Sequence, residues 1–128
     1  FPNTLFVSGK TQEEVKELMG KTKIFVTYPF DTPDWKEQFA AYSTIEGMAS
    51  GCAIISSDAG SIKEWIQGSG CAILPPHRPD LLKAQIESFL RNDEFRKQIA
   101  EKSMEFVKKF DKDVIAIKLL KIFDVLVQ

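Results

Sequence analysis

The feature that most constrains the fold is the apolar run at residues 53–56, which shows no alternation of apolar and polar side chains up to Ile55. Gly51 precedes this run and a turn of Asp-Ala-Gly follows it at residues 58–60. So short an apolar run between turn residues favours a strand over a helix. A strand that is apolar throughout must be covered on both faces, as in a parallel sheet between helices.

The rest of the chain alternates between short apolar runs and amphipathic helical patterns. The predicted strands cover residues 4–7, 23–28, 53–56 and 71–74. The predicted helices cover residues 11–20, 43–50, 61–67, 79–91, 92–110 and 111 onward. This order predicts one α/β domain with a Rossmann-like parallel sheet flanked by helices. The final helix is apolar over so much of its circumference that we expect it to be buried on more than one side.

Two of the predicted helices begin with the pattern of a capping box. Thr11 is followed three residues later by Glu14, and Ser61 by Glu64. In this motif the hydroxyl accepts from a backbone N–H while the carboxylate accepts from the N-cap amide. The sequence therefore predicts helix starts at Thr11 and Ser61.

Composition excludes several classes of function. Seventeen basic against eighteen acidic residues argue against a nucleic-acid surface or a polybasic membrane patch. The longest apolar runs, of four residues, are far shorter than the ~20 of a transmembrane helix. Cys52 and Cys71 lie in apolar stretches, which is typical of buried, reduced thiols in a cytoplasmic protein. With a single histidine and no Cys/His cluster, no metal site is expected.

Residues 8–11, Ser-Gly-Lys-Thr, lie between a predicted strand and a predicted helix and imitate the end of a phosphate-binding P-loop. The full motif needs a glycine five positions before Gly9, where this chain has Thr4. Without a glycine-rich loop the backbone amides cannot wrap a phosphate. We therefore predict an ordinary turn, at the carboxyl end of a strand where ligands of parallel sheets bind.

Residues 37–51 lead from a long loop into a predicted helix whose free N–H groups form an anion site. Glu46 falls about one turn into this helix, close to its apolar side. A carboxylate there needs a partner, which a lysine, a backbone group or the vicinal hydroxyls of a ribose could supply. Spacing alone favours a lysine or backbone partner over the ribose.

Three motifs follow one another in the second half of the chain. Residues 46–66 read EGMASGCAIISSDAGSIKEWI, residues 68–75 read GSGCAILP, and residues 92–96 read NDEFR. Together they resemble the signature of retaining glycosyltransferases with the GT-B fold, the group 1 or family 4-like enzymes. The resemblance covers almost the whole chain from Gly9 onward. It corresponds to the later part of that family's C-terminal domain, which binds the nucleotide-sugar donor.

The resemblance implies roles for two acidic positions. Glu46 matches the glutamate that holds the ribose hydroxyls of the donor. A first glutamate, eight positions earlier in the family, contacts the transferred sugar near the reacting carbon. Here Gln38 is eight positions before Glu46 and Glu37 is nine before it. Either Gln38 replaces the acid or the loop has one extra residue and Glu37 keeps the role, which Phe39 favours because the family has E-x-F.

The resemblance also implies a donor-binding surface without a metal or cofactor. The amides of Tyr42, Ser43 and Thr44 would contact the donor diphosphate through the helix dipole, and Ala41 occupies a position where the family has glycine. The loop at Gly9 and Lys10 would lie near the nucleotide base.

The resemblance further implies that the chain is one partial domain, residues 1–128, of a larger enzyme. Two strands of the donor domain and the N-terminal domain that binds the acceptor would lie outside it. We expect such a piece to be inactive alone and to self-associate, and any membrane association to come through the missing domain. The alternative is a non-catalytic α/β nucleotide-binding or scaffold module derived from the same fold.

Overall fold

The computed structural model of the chain describes residues 2–34 and 42–127. Its strands are β1 (Ile24–Thr27), β2 (Ala53–Ser57) and β3 (Ala72–Leu74). They form a parallel sheet in the order β1-β2-β3, with Ile24 opposite Ala53 and Ile55 opposite Ala72. All five residues of β2 are buried, which confirms the prediction of a central strand covered on both faces.

The helices are α1 (Gln12–Lys21), α2 (Tyr42–Ala49), α3 (Ile62–Ile66), α4 (Pro79–Arg91), α5 (Asp93–Val107) and α6 (Lys112–Val127), with a 3-10 turn at Lys108–Phe110. Two apolar clusters cover the two faces of the sheet. Ile54 packs on one side with residues of α2, α3 and α5, while Ala53 and Ile55 pack on the other with Phe89 of α4. The predicted α/β class, a Rossmann-like parallel sheet flanked by helices, is therefore confirmed.

The predicted strand at residues 4–7 is wrong. This segment is irregular, with Leu5 84% and Phe6 85% exposed, and the first strand of the described sheet starts only at Ile24. A strand is stable when a neighbouring strand pairs with its N–H and C=O groups. Among the described residues the apolar run pairs with no strand of the sheet, so its composition alone does not produce a strand.

The two predicted capping boxes have different outcomes. At Thr11 both reciprocal hydrogen bonds form, and α1 continues one residue past Gly20 to Lys21. At Ser61 the predicted helix start is confirmed, since Ser61 is the N-cap residue of α3, but the predicted capping box is wrong, because the Ser61 side chain makes no capping hydrogen bond. Thr11 has the extended backbone, ψ 163°, that aims an N-cap oxygen at the helix amides, whereas Ser61 has ψ 3°.

The C-terminal helices also differ from the predictions. The helix predicted at residues 92–110 ends at Val107 and tightens into the 3-10 turn. Helix α6 forms, but none of its residues is buried, and Leu120 is 61% exposed. The predicted burial of α6 is therefore wrong for this chain, because an apolar circumference is buried only where a surface is present to cover it.

Both cysteines are free thiols, as predicted, with Cys52 buried and Cys71 half-buried. Burial raises the pKa of both thiols, since the low-dielectric surroundings disfavour the thiolate. None of the described helices has the length and apolar character needed to cross a bilayer.

Candidate functional site

The three strands end at one edge of the sheet, and hydrogen bonds join the loops that follow them. The Tyr28 hydroxyl, after β1, donates to the carbonyl of Pro75, after β3. The Ser57 hydroxyl, at the end of β2, donates to the carbonyl of Pro29. Hydrogen bonds therefore hold together the loops at the carboxyl edge of the sheet. Open α/β sheets bind their ligands at this edge.

Two aromatic rings lie on this edge. Phe30 and His77 have ring centroids 4.8 Å apart, with their planes at 51°. Next to Phe30, the Asp31 carboxylate accepts a hydrogen bond from the Gly60 amide at 3.3 Å. His77 is an exposed loop residue, but its contact with Phe30 is not evident from the sequence.

A groove of about 570 Å³ runs between α1 and α2. Helices that alternate with parallel strands run back across the sheet, so the N-termini of α1 and α2 point toward its carboxyl edge. The groove is lined by Lys10, Gln12, Glu13, Val15, Lys16, Met19, Glu46, Ala49 and Ser50. The lining of the groove therefore combines apolar side chains with both basic and acidic ones.

Glu46 lines this groove. Its position close to the apolar side of the helix predicts partial burial, and this prediction is wrong, because Glu46 is exposed. The buried positions of α2 are Thr44, Gly47 and Met48. Glu46, Ala49 and Ser50 follow the same i, i+3, i+4 spacing on another side of the helix. Glu46 therefore faces α1 across the open groove, where its carboxylate oxygens are available to a ligand.

The α1 wall of the groove contains three polar residues that the sequence reasoning missed: Gln12, Glu13 and Lys16. They line the groove together with Val15 and Met19. The helical spacing of these residues in the sequence was the signal that could have identified them as one wall. Nothing in the primary sequence indicated that this wall faces Glu46.

Lys10, predicted near the nucleotide base, also lines the groove. Its ammonium forms an ion pair with Glu14 at 2.9 Å, and this contact lowers the pKa of the Glu14 carboxyl. Gly9, immediately before it, has a left-handed φ of 63° and is exposed. The turn before α1 therefore contributes a lysine to the cleft, although it does not follow a strand.

Three of the predicted diphosphate-binding residues start α2. Tyr42 is 77% exposed, Ser43 is half-buried and Thr44 is 1% exposed. All three lie in the first turn, where backbone N–H groups have no partner within the helix. Because Thr44 is almost wholly buried, its hydroxyl is not available to a ligand.

The remaining predicted residues, Glu37, Gln38 and Ala41, lie outside the residues that the structure describes.

A second groove, of about 560 Å³, lies between α2 and α5. Its lining is largely apolar, and three of its side chains, Glu101, Glu105 and Asp111, are acidic. Lys108 lines it too and is paired with Glu105. A negative lining repels a diphosphate, so the groove between α1 and α2 is the better candidate for an anionic ligand.

Comparison with known proteins assigns the family. The sequence model described as Glycosyl transferases group 1 matches residues 2–106, most of the chain. The chain belongs to the group 1 glycosyl transferases. An uncharacterized glycosyltransferase of Methanocaldococcus jannaschii is 29% identical over 116 residues, which are 90% of this chain and 31% of that protein.

Solved structures agree on the fold of this glycosyl transferase domain. A sucrose-phosphate synthase from Thermosynechococcus elongatus superposes with a TM-score of 0.77 at 21% identity, over 95% of this chain and 30% of that one. A glycosyltransferase from Rickettsia africae superposes with a TM-score of 0.78 at 22% identity, over 98% and 33%. The predicted GT-B glycosyltransferase fold is confirmed, and the chain spans about a third of these relatives.

Proposed function

We propose that this glycosyl transferase domain binds a nucleotide-diphosphate sugar and serves as the donor-binding part of a larger retaining enzyme. The observation that carries the proposal is the position of Glu46, an exposed carboxylate on the wall of the α1–α2 groove. A carboxylate is an acceptor for two adjacent hydroxyls, and the vicinal hydroxyls of a ribose present that pair of donors. Family membership supports the same assignment.

Two further kinds of group suit the rest of a donor, and only the second of them lines the groove. First-turn amides of α2, at Tyr42, Ser43 and Thr44, would bind the diphosphate, because helix N–H groups and the helix dipole favour an anion. Lys16 adds a positive charge on the opposite wall. Such groups would stabilise the charge that develops on the leaving diphosphate, without taking part in bond making.

In this proposal, the residue that contacts the transferred sugar near its reacting carbon is Glu37 or Gln38. The acceptor site would come from the rest of the enzyme, so the 128-residue chain would bind the donor without transferring the sugar.

Calorimetry with uridine, guanosine and adenosine diphosphates and their sugar conjugates tests the donor role. We expect one nucleotide to bind, and Glu46→Gln to weaken it at least about tenfold, since each lost charge-assisted hydrogen bond contributes roughly 1.5–3 kcal/mol. Glu17→Gln is the matched control, because Glu17 is an exposed residue of α1 that does not line the groove. If no nucleotide diphosphate binds, the chain is the alternative, a module that keeps the fold without the donor site.

A further inference from the structure

The aromatic pair at the carboxyl edge has no role in the donor site described above. Phe30 is 47% exposed and His77 is exposed, although each ring touches the other. Phe30 comes three residues after the end of β1, and His77 three residues after the end of β3. The sheet therefore presents an open aromatic surface at the edge where its ligands are expected.

The chain holds this surface in place by contacts on both sides of Phe30. The carbonyl of Pro29 accepts from the Ser57 hydroxyl, and the carboxylate of Asp31 accepts from the Gly60 amide. Two neighbouring residues of Phe30 are thus fixed to the loop that begins at the end of β2. The chain itself therefore holds the residues on both sides of the phenyl ring.

The loop after β3 is held as well. Its Pro75 carbonyl accepts from the Tyr28 hydroxyl. His77 itself has a left-handed φ of 58°. Few residues other than glycine adopt this conformation, and histidine adopts it more often than most of them. In this backbone conformation the imidazole contacts the Phe30 ring, so the pair is a preformed surface.

We infer that Phe30 and His77 form a stacking platform for a pyranose ring, as a sugar subsite of the proposed glycosyltransferase. The inference rests on the proposed function for its biological role. The C–H face of a pyranose is apolar and packs on an aromatic face, while its hydroxyls need polar partners at the rim. The imidazole nitrogens of His77 are polar groups on this surface, and the exposed Arg78–Asp80 ion pair follows next along the chain.

The tilt of the two rings excludes one kind of nucleobase site. With their planes at 51°, the two rings do not form the parallel-walled slot that would sandwich a planar base. A pyranose needs only one exposed aromatic face. The sugar could belong to the donor or to the acceptor, and the two sources present the same ring.

The single histidine of the chain makes the test direct, because its imidazole proton resonances in an NMR spectrum are those of His77. Methyl α-D-glucopyranoside and methyl β-D-galactopyranoside are titrated into the 128-residue chain, with sorbitol as an open-chain polyol of similar hydroxyl content. We expect at least one pyranoside to shift the His77 resonances saturably, and sorbitol to leave them unchanged. Equal shifts with sorbitol, or no saturable shift with either glycoside, would overturn the platform.

Titrations with a nucleotide sugar and with its nucleotide diphosphate distinguish the two sources of the sugar. If the bound sugar belongs to the donor, a nucleotide sugar should shift the His77 resonances at lower concentration than the free glycoside does. The corresponding nucleotide diphosphate should leave these resonances unchanged. If the bound sugar belongs to the acceptor, the nucleotide sugar should not compete with the glycoside for the site at His77. Either pattern supports the platform, whereas a shift caused by the nucleotide diphosphate alone would contradict it in favour of base or phosphate binding.

A variant checks that the ring itself is required. Phe30→Leu keeps an apolar side chain without the aromatic face and should weaken the glycoside about fivefold. Phe6→Leu is the control, since Phe6 is 85% exposed and lies in the irregular N-terminal segment. Urea unfolding verifies that Phe30→Leu is folded, and unchanged glycoside affinity in that folded variant would refute the inference.

Calorimetry keeps this inference distinct from the proposed donor site. Phe30→Leu should bind a nucleotide diphosphate as the parent does, because Phe30 does not line the α1–α2 groove. A chain that binds glycosides at His77 but binds no nucleotide would contradict the donor role and retain the platform.

Discussion

At the scale of single residues, the two glycines of α1 and α2 show how packing decides the effect of one methyl group. A Cβ on Gly47 would lie 3.1 Å from Ile54 Cδ1 and 3.2 Å from Phe25 Cδ1. A Cβ on Gly20 would meet nothing within 4 Å. Gly47 is therefore required for the close approach of α2 to the sheet, and Gly20 is not required by packing.

We expect Gly47→Ala to destabilise the chain, since overpacking a core costs roughly 1–3 kcal/mol and the helix-propensity gain offsets only about 1 kcal/mol of it. Gly20→Ala should stabilise by roughly 0.5–1 kcal/mol, because alanine is the better helix former. Urea unfolding monitored by circular dichroism measures both changes. A stabilised Gly47→Ala would mean that α2 does not press on Phe25 and Ile54.

The Arg78–Asp80 pair gives a prediction in pH. The hydrogen bonds from the Arg78 guanidinium, at 2.6 and 2.9 Å, lower the pKa of Asp80 to about 2. A depressed carboxyl pKa contributes stability above the unfolded value of about 3.9, and this contribution is lost as pH falls toward 2. Arg78→Ala should return the Asp80 pKa toward its ordinary range, as measured by carboxyl NMR titration. A titration that does not move would contradict the pairing.

At the scale of elements, α1 depends on its N-terminal motif more than on its length of 10 residues. A helix this short is marginal in isolation, so the two hydrogen bonds between Thr11 and Glu14 matter to its start. Because α1 forms one wall of the candidate donor groove, its stability bears on the site.

We expect Thr11→Ala to lower the free energy of unfolding by about 1 kcal/mol, the usual cost of losing an N-cap side chain. Hydrogen exchange of the α1 amides should accelerate more than that of β2, since the lost contact is local to the helix. Thr4→Ala is the control, because Thr4 is exposed in the irregular segment. Equal effects of the two substitutions would show that the capping box does not stabilise α1.

At the scale of the whole molecule, α6 is the element least integrated into the fold. Ile115, Leu119, Ile122 and Leu126 lie on one side of it, from 38% to 74% exposed. Ile117 lies on the opposite side, where Asp113, Lys121 and Asp124 interrupt the apolar surface that Val114 and Leu120 contribute. A continuous apolar stripe in contact with water favours association.

We expect the chain to associate as its concentration rises, because covering the stripe removes apolar area from water at about 25 cal/mol per Å². Leu119→Glu should shift the chain toward monomer in light scattering without lowering its stability. Ile117→Glu is the matched control, since Ile117 is 54% exposed against 48% for Leu119 and lies on the other side of α6. A monodisperse parent at high concentration would contradict the expectation.

Local patterns in the sequence determined most of the elements. The unbroken apolar run at residues 53–56 predicted a strand buried on both faces, and β2 has every residue buried. Helix starts and ends at Thr11, Pro79 and Gly51 follow from capping, fixed φ and left-handed backbone, which act within a few residues. The family motifs at residues 46–75 led to the GT-B fold, which the comparisons confirm.

Tertiary structure alone decided which apolar and polar groups meet a neighbour. Residues 4–7 and α6 have the composition of buried elements, but no element in the described part of the chain covers them, so they are exposed. Glu46 is open to the groove because Gly47 and Met48 take the sheet-facing side of α2. The contact between Phe30 and His77 joins residues 47 positions apart. Sequence periodicity specifies the faces of an element, but burial and contact depend on which other elements occupy the space beside it.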